Sequence, residues 1–367
     1  MNFKPLTSVL IKPAGPECNM ACGYCFYLPK SRLFPGSKPR RMSEQILKQV
    51  IRQVTAGEQE VSFGWQGGEP TLMGLPFFQK AVDFQMRFGK KQTVGNGLQT
   101  NGILIDREWA RFLNKYKFLV GLSLDGPEHI HDKYRFLRGG RGTWKKVRDR
   151  ARLLLDSGVE VNALSVVNDY SVRFPREIYE FHKSIGLNYM QFIPCVEPDP
   201  ANPGGKAPFS VKPEAFGGFL VEVFDLWLAD FENNIPTTFV RFFESVFFSY
   251  MGQPAPDCTL QKECGTYVVV EHNGDVFSCD FFVEEEWRLG NVKQGNLEDM
   301  LNSSRQEKFG CRKVELARAC SDCCWLPYCF GGCTKDGRYL CSAYKIFFAH
   351  ADPHFRKLAT LRRGERF

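Results

Sequence analysis

From Leu6 to about Gln191, short β-branched or apolar runs alternate with loops and longer amphipathic segments, the pattern of βα units that build a parallel sheet. The runs predict strands near residues 8–11, 61–65, 93–99, 118–124, 159–167 and 189–193, with helices between them. Ser43, ahead of Glu44 and Gln45, is placed to cap a helix running to about Val54, because its hydroxyl can accept from an otherwise unpaired N–H of the first turn. Asp106 and Thr143 stand ahead of later helices in the same way. Residues 196–213 are rich in Pro and Gly, lack periodicity and predict a long loop, after which an aromatic-rich helix runs to about Phe231. Beyond Asn234 the pattern changes to short strands and turns, with Asn273-Gly274 between two apolar runs as a hairpin signal. These changes predict an α/β domain over residues 1–233 and a smaller, cysteine-rich one over 234–367.

Polar or glycine-rich clusters follow the strand runs at corresponding places: Gln66-Gly67-Gly68-Glu69, Thr100-Asn101-Gly102, Asp125-Gly126, Asn168 and Pro194-Cys195. Each alone would serve as a turn. In parallel α/β architectures, however, ligands lie at the carboxyl ends of the strands, so five clusters in equivalent positions point to one shared site.

The 367 residues are 43% hydrophobic and 24% charged, which is enough apolar material for a packed core and argues against wholesale disorder. Net charge is +7, with some concentration between His354 and Arg366, a balance that suits acidic partners without calling for nucleic acid. No stretch reaches the roughly 20 apolar residues of a membrane-spanning helix; the longest candidate, 216–228, is interrupted by Glu222 and Asp225. Residues 1–7 lack a basic segment followed by an apolar core and a cleavage site, so a cytoplasmic location is expected. That expectation changes the reading of the 14 cysteines, since a reducing compartment favours metal ligation over disulfides.

Cys18, Cys22 and Cys25 supply three thiolates from one short loop directly after the first predicted strand. A structural zinc site normally closes with four protein ligands, and a four-iron cluster used only for electron transfer takes four cysteines. Three cysteines on such a cluster leave one iron open for a substrate or cofactor; a zinc site completed by a distant His or Cys is the alternative. The spacing C-x3-C-x2-C, with Tyr24 before the last cysteine, resembles the signature of the radical S-adenosylmethionine enzymes. The resemblance implies a partial (β/α)6 TIM-like barrel and a [4Fe-4S] cluster held by Cys18, Cys22 and Cys25. In that family S-adenosylmethionine occupies the open iron and is cleaved to a 5′-deoxyadenosyl radical. It further implies cofactor contacts from Gly67, Gly68 and Glu69, which are similar to the family's GGEP segment, and from Tyr24, Ser123, Arg135 and Val196. Arg135 is suited to the cofactor's carboxylate.

Cys258, Cys264 and Cys279, followed by Cys320-x2-Cys323-x5-Cys329-x3-Cys333 and Cys341, resemble the SPASM extension of a subset of these enzymes. The resemblance implies two auxiliary [4Fe-4S] clusters, one on Cys258, Cys264, Cys279 and Cys333, the other on Cys320, Cys323, Cys329 and Cys341, and so three clusters in all. Cys195, Cys311 and Cys324 are left without a role. Two zinc ribbons are the alternative, since CxxC spacing suits zinc equally well.

Across nearly the full length, Gln191-Phe192-Ile193-Pro194-Cys195, Cys279-Asp280-Phe281-Phe282 and the run from Cys341 through Tyr344 to Phe348 resemble the anaerobic sulfatase-maturating enzymes. These convert a cysteine or serine of a sulfatase to Cα-formylglycine. The resemblance makes Asp280 the proton acceptor: loss of a proton from the substrate thiol or hydroxyl makes a neighbouring carbon radical a stronger reductant. It implies as partners an unfolded or nascent sulfatase with a Cys/Ser-x-Pro-x-Arg motif and a low-potential donor such as flavodoxin or ferredoxin, with no nucleic acid and no membrane. The competing readings are another SPASM peptide maturase, forming thioether cross-links or modifying a ribosomal peptide, and a zinc-stabilised binding module. Cys18 lies so near the first residue that the added N-terminal peptide-binding domain common in other peptide maturases is not expected.

Overall fold

The structure is a computed structural model that describes residues 3–36, 39–318 and 320–364. Met1, Asn2 and Arg366, the outer ends of two stretches discussed above, lie outside the described residues. The strands are β1 (Ser8–Lys12), β2 (Glu60–Trp65), β3 (Thr93–Thr100), β4 (Leu119–Ser123), β5 (Glu160–Val167), β6 (Tyr189–Pro194), β7 (Phe231–Glu232), β8 (Ile235–Pro236), β9 (Phe239–Val240), β10 (Val268–Glu271), β11 (Asp275–Phe277) and β12 (Arg288–Asn291). The first six match the predicted runs to within a residue or two. The protein is mixed α/β with mostly parallel strand pairing, and its contacts divide it into two compact units.

The first unit comprises Met1–Ser123, Asp132–Val161 and Gly265–Gly310. In it β1 to β4 pair in parallel and in chain order, β10 adds in parallel to the free edge of β1, and β11 and β12 follow antiparallel. All four residues of β10 are buried, as a strand covered on both faces requires. The Asn273-Gly274 turn joins β10 to β11 as the sequence predicts, with Gly274 at φ +89°. Ser43 Oγ accepts from Ile46 N, and Asp106 accepts from Glu108 N and Trp109 N, so both predicted caps form.

Thr143 does not cap its helix, Trp144–Asp156. Its hydroxyl donates instead to the Arg135 carbonyl at 3.1 Å, while Asp132 Oδ1 accepts from Thr143 N at 2.7 Å and Trp144 N at 2.9 Å. A carboxylate is the stronger acceptor for helix N–H groups, and Asp132 reaches them across a turn, a placement that a local reading cannot see.

The second unit comprises Leu124–His131, Asn162–Cys264 and Cys311–Phe367. Strands β5, β6 and β9 pair in parallel, and β7 with β8 forms a two-residue hairpin. The predicted aromatic helix is Pro213–Ala229; it stops short of Phe231, which opens the hairpin. The chain beyond Asn234 is more helical than its turn-rich pattern predicts, with helices Arg241–Tyr250, Ser304–Arg318 and Cys341–Gly364. In the last of these, Phe347, Ala351 and Phe355 recur at helical spacing and pack with Phe224 and Phe243 in one aromatic core. A Cβ at Gly217 would lie 3.0 Å from Ile346, so glycine permits the close approach of helices Pro213–Ala229 and Cys341–Gly364. Among the described residues, no helix is long and apolar enough to cross a membrane.

Candidate functional site

In the first unit the loop after β1 is held against the segment 134–137. Ala21 N donates to the Phe136 carbonyl and Gly23 N to the Tyr134 carbonyl, both at 2.9 Å, and Met20 bridges Leu137. This pinning gathers Cys18, Cys22 and Cys25 closely enough for their charges to interact. The Cys18 thiol is pushed up to about 12, first by burial and next by the Glu69 carboxylate, with Cys22 and Cys25 adding to the rise. Three cysteine sulfurs offered by one loop are soft donors of the kind that hold an iron–sulfur cluster, so the donor set fits one. Asn101, from one of the clusters at strand ends, donates to Cys18 Sγ at 3.6 Å and to Asn19 Oδ1 at 2.8 Å.

Gly67-Gly68-Glu69 runs beside the approach to that loop. Gly68 N donates to the Gly15 carbonyl and Glu69 N to the Glu17 carbonyl, each at 2.8 Å. A Cβ at Gly68 would stand 2.0 Å from the Glu17 carbonyl oxygen, so this pairing excludes every side chain there. Glu69 is buried. Its Oε1 accepts from Thr71 N, Thr71 Oγ1 and Thr100 Oγ1, and its Oε2 from Asn101 N. Glu69 therefore ties the ends of β2 and β3 together beside the cysteine loop, a structural duty the sequence did not disclose.

Arg135 is only 6% exposed, and its Nη1 donates to Tyr24 Oη at 2.9 Å. A buried guanidinium is an uncommon arrangement, and its planar donor fork suits the carboxylate of an amino-acid cofactor. Ser123, half-buried at the end of β4, accepts from Gln99 Nε2 at 3.0 Å. Tyr24, Gly67, Gly68, Glu69, Ser123 and Arg135 thus belong with the cysteine loop to the first unit, whereas Val196 is buried in the second, where its carbonyl accepts from Lys335 Nζ at 2.9 Å.

Asp280 and Cys279 also belong to the first unit. Tyr267 Oη donates to Asp280 Oδ1 at 3.1 Å and Gln66 Nε2 to Oδ2 at 3.3 Å, while Cys279 Sγ lies 3.4 Å from Oδ1. Beneath them Lys12, 1% exposed at the end of β1, donates to the Asp280 carbonyl at 3.3 Å and lies 3.6 Å from the centre of the Tyr27 ring. Tyr27 in turn donates to the buried Glu271. Burial lowers the Lys12 pKa, and Asp280, Glu271 and Cys279 oppose that shift. Lys12 and Tyr267 are neighbours of Asp280 that sequence reading missed, whereas Gln66 belongs to a cluster already singled out at a strand end; for Lys12 the one available signal was a lysine directly after an apolar strand run.

In the second unit Cys320, Cys323, Cys329 and Cys341 line one cavity with Trp325, Arg338, Tyr344 and Lys345. Burial raises the Cys329 pKa, and charge on Cys323, Cys320 and Cys341 raises it further. Four cysteines around one cavity fit an iron–sulfur cluster. Cys333 is likewise pushed up to about 12, by burial first, with Cys264 contributing. Cys258, Cys264 and Cys333 belong to this unit, whereas Cys279 is in the other. Cys195 is buried, and Cys311 and Cys324 are exposed.

Two family models match the chain: the radical SAM superfamily over residues 13–181 and an iron–sulfur cluster-binding domain, SPASM, over 258–324. The second description favours iron over zinc for the later cysteines. The chain is 37% identical to a serine-type anaerobic sulfatase-maturating enzyme of Bacteroides thetaiotaomicron, covering 96% of this chain and 90% of that protein. It is 35% identical to a cysteine-type enzyme of Clostridium perfringens, covering 97% and 99% respectively. A solved structure described as native anSMEcpe with bound AdoMet and Cp18Cys peptide is similar at a TM-score of 0.90 and 35% identity, covering 97% of this chain and 99% of that one.

Proposed function

The chain belongs to the anaerobic sulfatase-maturating enzymes, and from that premise we propose that it oxidises a cysteine or serine of a sulfatase to Cα-formylglycine. Cys18, Cys22 and Cys25 would hold the catalytic [4Fe-4S] cluster. Two further clusters would be held by Cys258, Cys264, Cys279 and Cys333, and by Cys320, Cys323, Cys329 and Cys341. When bound, the first cluster and S-adenosylmethionine supply one-electron chemistry that removes a hydrogen atom from carbon. Arg135, braced by Tyr24, binds the cofactor's carboxylate; Ser123, Gly67, Gly68, Glu69 and Val196 complete its contacts. On this reading residues 1–233 carry the reaction and 234–367 the auxiliary clusters.

The observation that carries the proposal is the setting of Asp280. Donors from Tyr267 and Gln66, one on each of its two oxygens, fix its orientation. Removal of one hydrogen atom from the substrate Cβ, and of one proton and one electron from its thiol or hydroxyl, converts the single bond to sulfur or oxygen into a double bond. Asp280 takes that proton, the electron would pass to one of the auxiliary clusters when bound, and for cysteine water then replaces sulfur, which leaves as hydrogen sulfide. The substrate is an unfolded or nascent polypeptide with a Cys/Ser-x-Pro-x-Arg motif, met in the cytoplasm, and a low-potential flavodoxin or ferredoxin supplies reducing electrons.

Anaerobic incubation of the reconstituted protein with a short Cys-x-Pro-x-Arg peptide and its serine analogue, read by mass spectrometry, tests the proposal. A mass change to the aldehyde in either peptide is expected. Unchanged peptides, or a thioether cross-link, from protein that carries its full iron would overturn it.

A further inference from the structure

Lys313, on the helix Ser304–Arg318, is completely buried, a place lysine occupies only when its ammonium is partnered. Its Nζ donates to the Thr259 carbonyl at 2.7 Å and also to the Gly332 carbonyl. Both acceptors adjoin implied cluster ligands: Thr259 follows Cys258, and Gly332 precedes Cys333. One buried side chain thus ties together two cysteine-bearing segments that are far apart in the chain. Gly332, at φ +78°, adopts a backbone conformation that favours glycine, and Tyr344 would stand 3.0 Å from a Cβ there.

We propose that Lys313 is a positioning residue for the auxiliary cluster implied at Cys258, Cys264, Cys279 and Cys333, clamping two ligand segments and setting a positive charge beside the sulfurs that favours the reduced cluster. The inference rests on the cluster reading above. Net charge and hydrogen bonding around the sulfurs are the protein's main controls on such a potential, and a cation stabilises the state with one more electron. The surrounding charges agree with this placement: burial disfavours the ammonium, and the groups that oppose burial are Cys264, Cys333, Cys258 and Cys329.

The test uses the full chain, reconstituted anaerobically, as wild type, Lys313→Met, Lys313→Gln and Lys313→Arg. Iron content, release of iron to a chelator and a redox titration followed by electron paramagnetic resonance are measured on each. Lys313→Met is expected to release the iron of one cluster about tenfold faster. Its reduction equilibrium should shift about tenfold against the reduced state, ~59 mV for a one-electron couple. Lys313→Gln, which keeps N–H donors without the charge, should show the same shift in potential with slower iron loss, and Lys313→Arg should restore the wild-type potential. Wild-type release and potential in Lys313→Met overturn the proposal. If that variant does not fold, an unshifted potential in Lys313→Gln does the same. Wild-type protein without auxiliary iron fails the cluster reading itself, a result distinct from intact clusters indifferent to Lys313.

Discussion

Lys12 in the first unit and Lys313 in the second are both buried lysines, yet they answer to different partners. Around Lys12 the opposing charges are chiefly the Asp280 and Glu271 carboxylates, which the polypeptide itself supplies. Around Lys313 they are thiols, which become anionic when a metal binds. Burying an ammonium costs several kcal/mol unless it is compensated. The first region therefore balances its charge from protein alone, and its order around Asp280 is built into the fold. The second reaches full balance only with a bound group. On the proposed reading, the place where a proton moves is thus pre-assembled, whereas the place that would hold a cluster leaves part of its electrostatics for the cluster to complete.

The largest effect expected on that contrast comes from Cys18→Ala, Cys22→Ala or Cys25→Ala. Each should abolish reductive cleavage of S-adenosylmethionine and leave about eight of about twelve irons in place; iron analysis and detection of 5′-deoxyadenosine check both. Retained cleavage would remove the first region as the source of the chemistry. Asp280→Asn comes next: cofactor cleavage and iron content unchanged, formylglycine production lower by about 10²- to 10⁴-fold, the usual worth of a positioned acid or base. Full product formation by that variant would take the proton-accepting role from Asp280.

Lys12→Met sharpens the comparison with Lys313. It should fold, keep all its iron and lose roughly tenfold in product formation through a less ordered Asp280, about 1.4 kcal/mol in barrier. Release of iron from Lys12→Met would show that the two lysines do the same work. The smallest effect is structural. Gly68→Ala places a Cβ 2.0 Å from the Glu17 carbonyl oxygen and should lower stability by about 1–3 kcal/mol, read as a lower melting temperature before any cofactor is added.

Much of this was legible along the chain. The six parallel strand runs, the Ser43 and Asp106 caps and the Asn273-Gly274 hairpin follow from local periodicity and turn chemistry, which act over a few residues. The helices beyond Asn234 were less legible, because cysteines, glycines and turn residues interrupt the apolar spacing that core packing nevertheless exploits. Nothing in the local pattern marks Arg135 as buried; its place beside Tyr24 depends on the cysteine loop folding against residues 134–137.

The sequence by itself determined the types of atom available: fourteen cysteines, most of them in three spaced groups, a carboxylate beside one of them and glycines where backbones meet. Tertiary structure alone decided which neighbours those atoms have. Adding β10 to the edge of β1 sets Lys12 and Gln66 against Asp280, which lies more than two hundred residues away in the chain, and the folding of the second unit sets Lys313 between Thr259 and Gly332. Spacing along a chain constrains contacts only over a turn or a hairpin. Partners brought together by strand pairing and core burial leave no mark in local pattern.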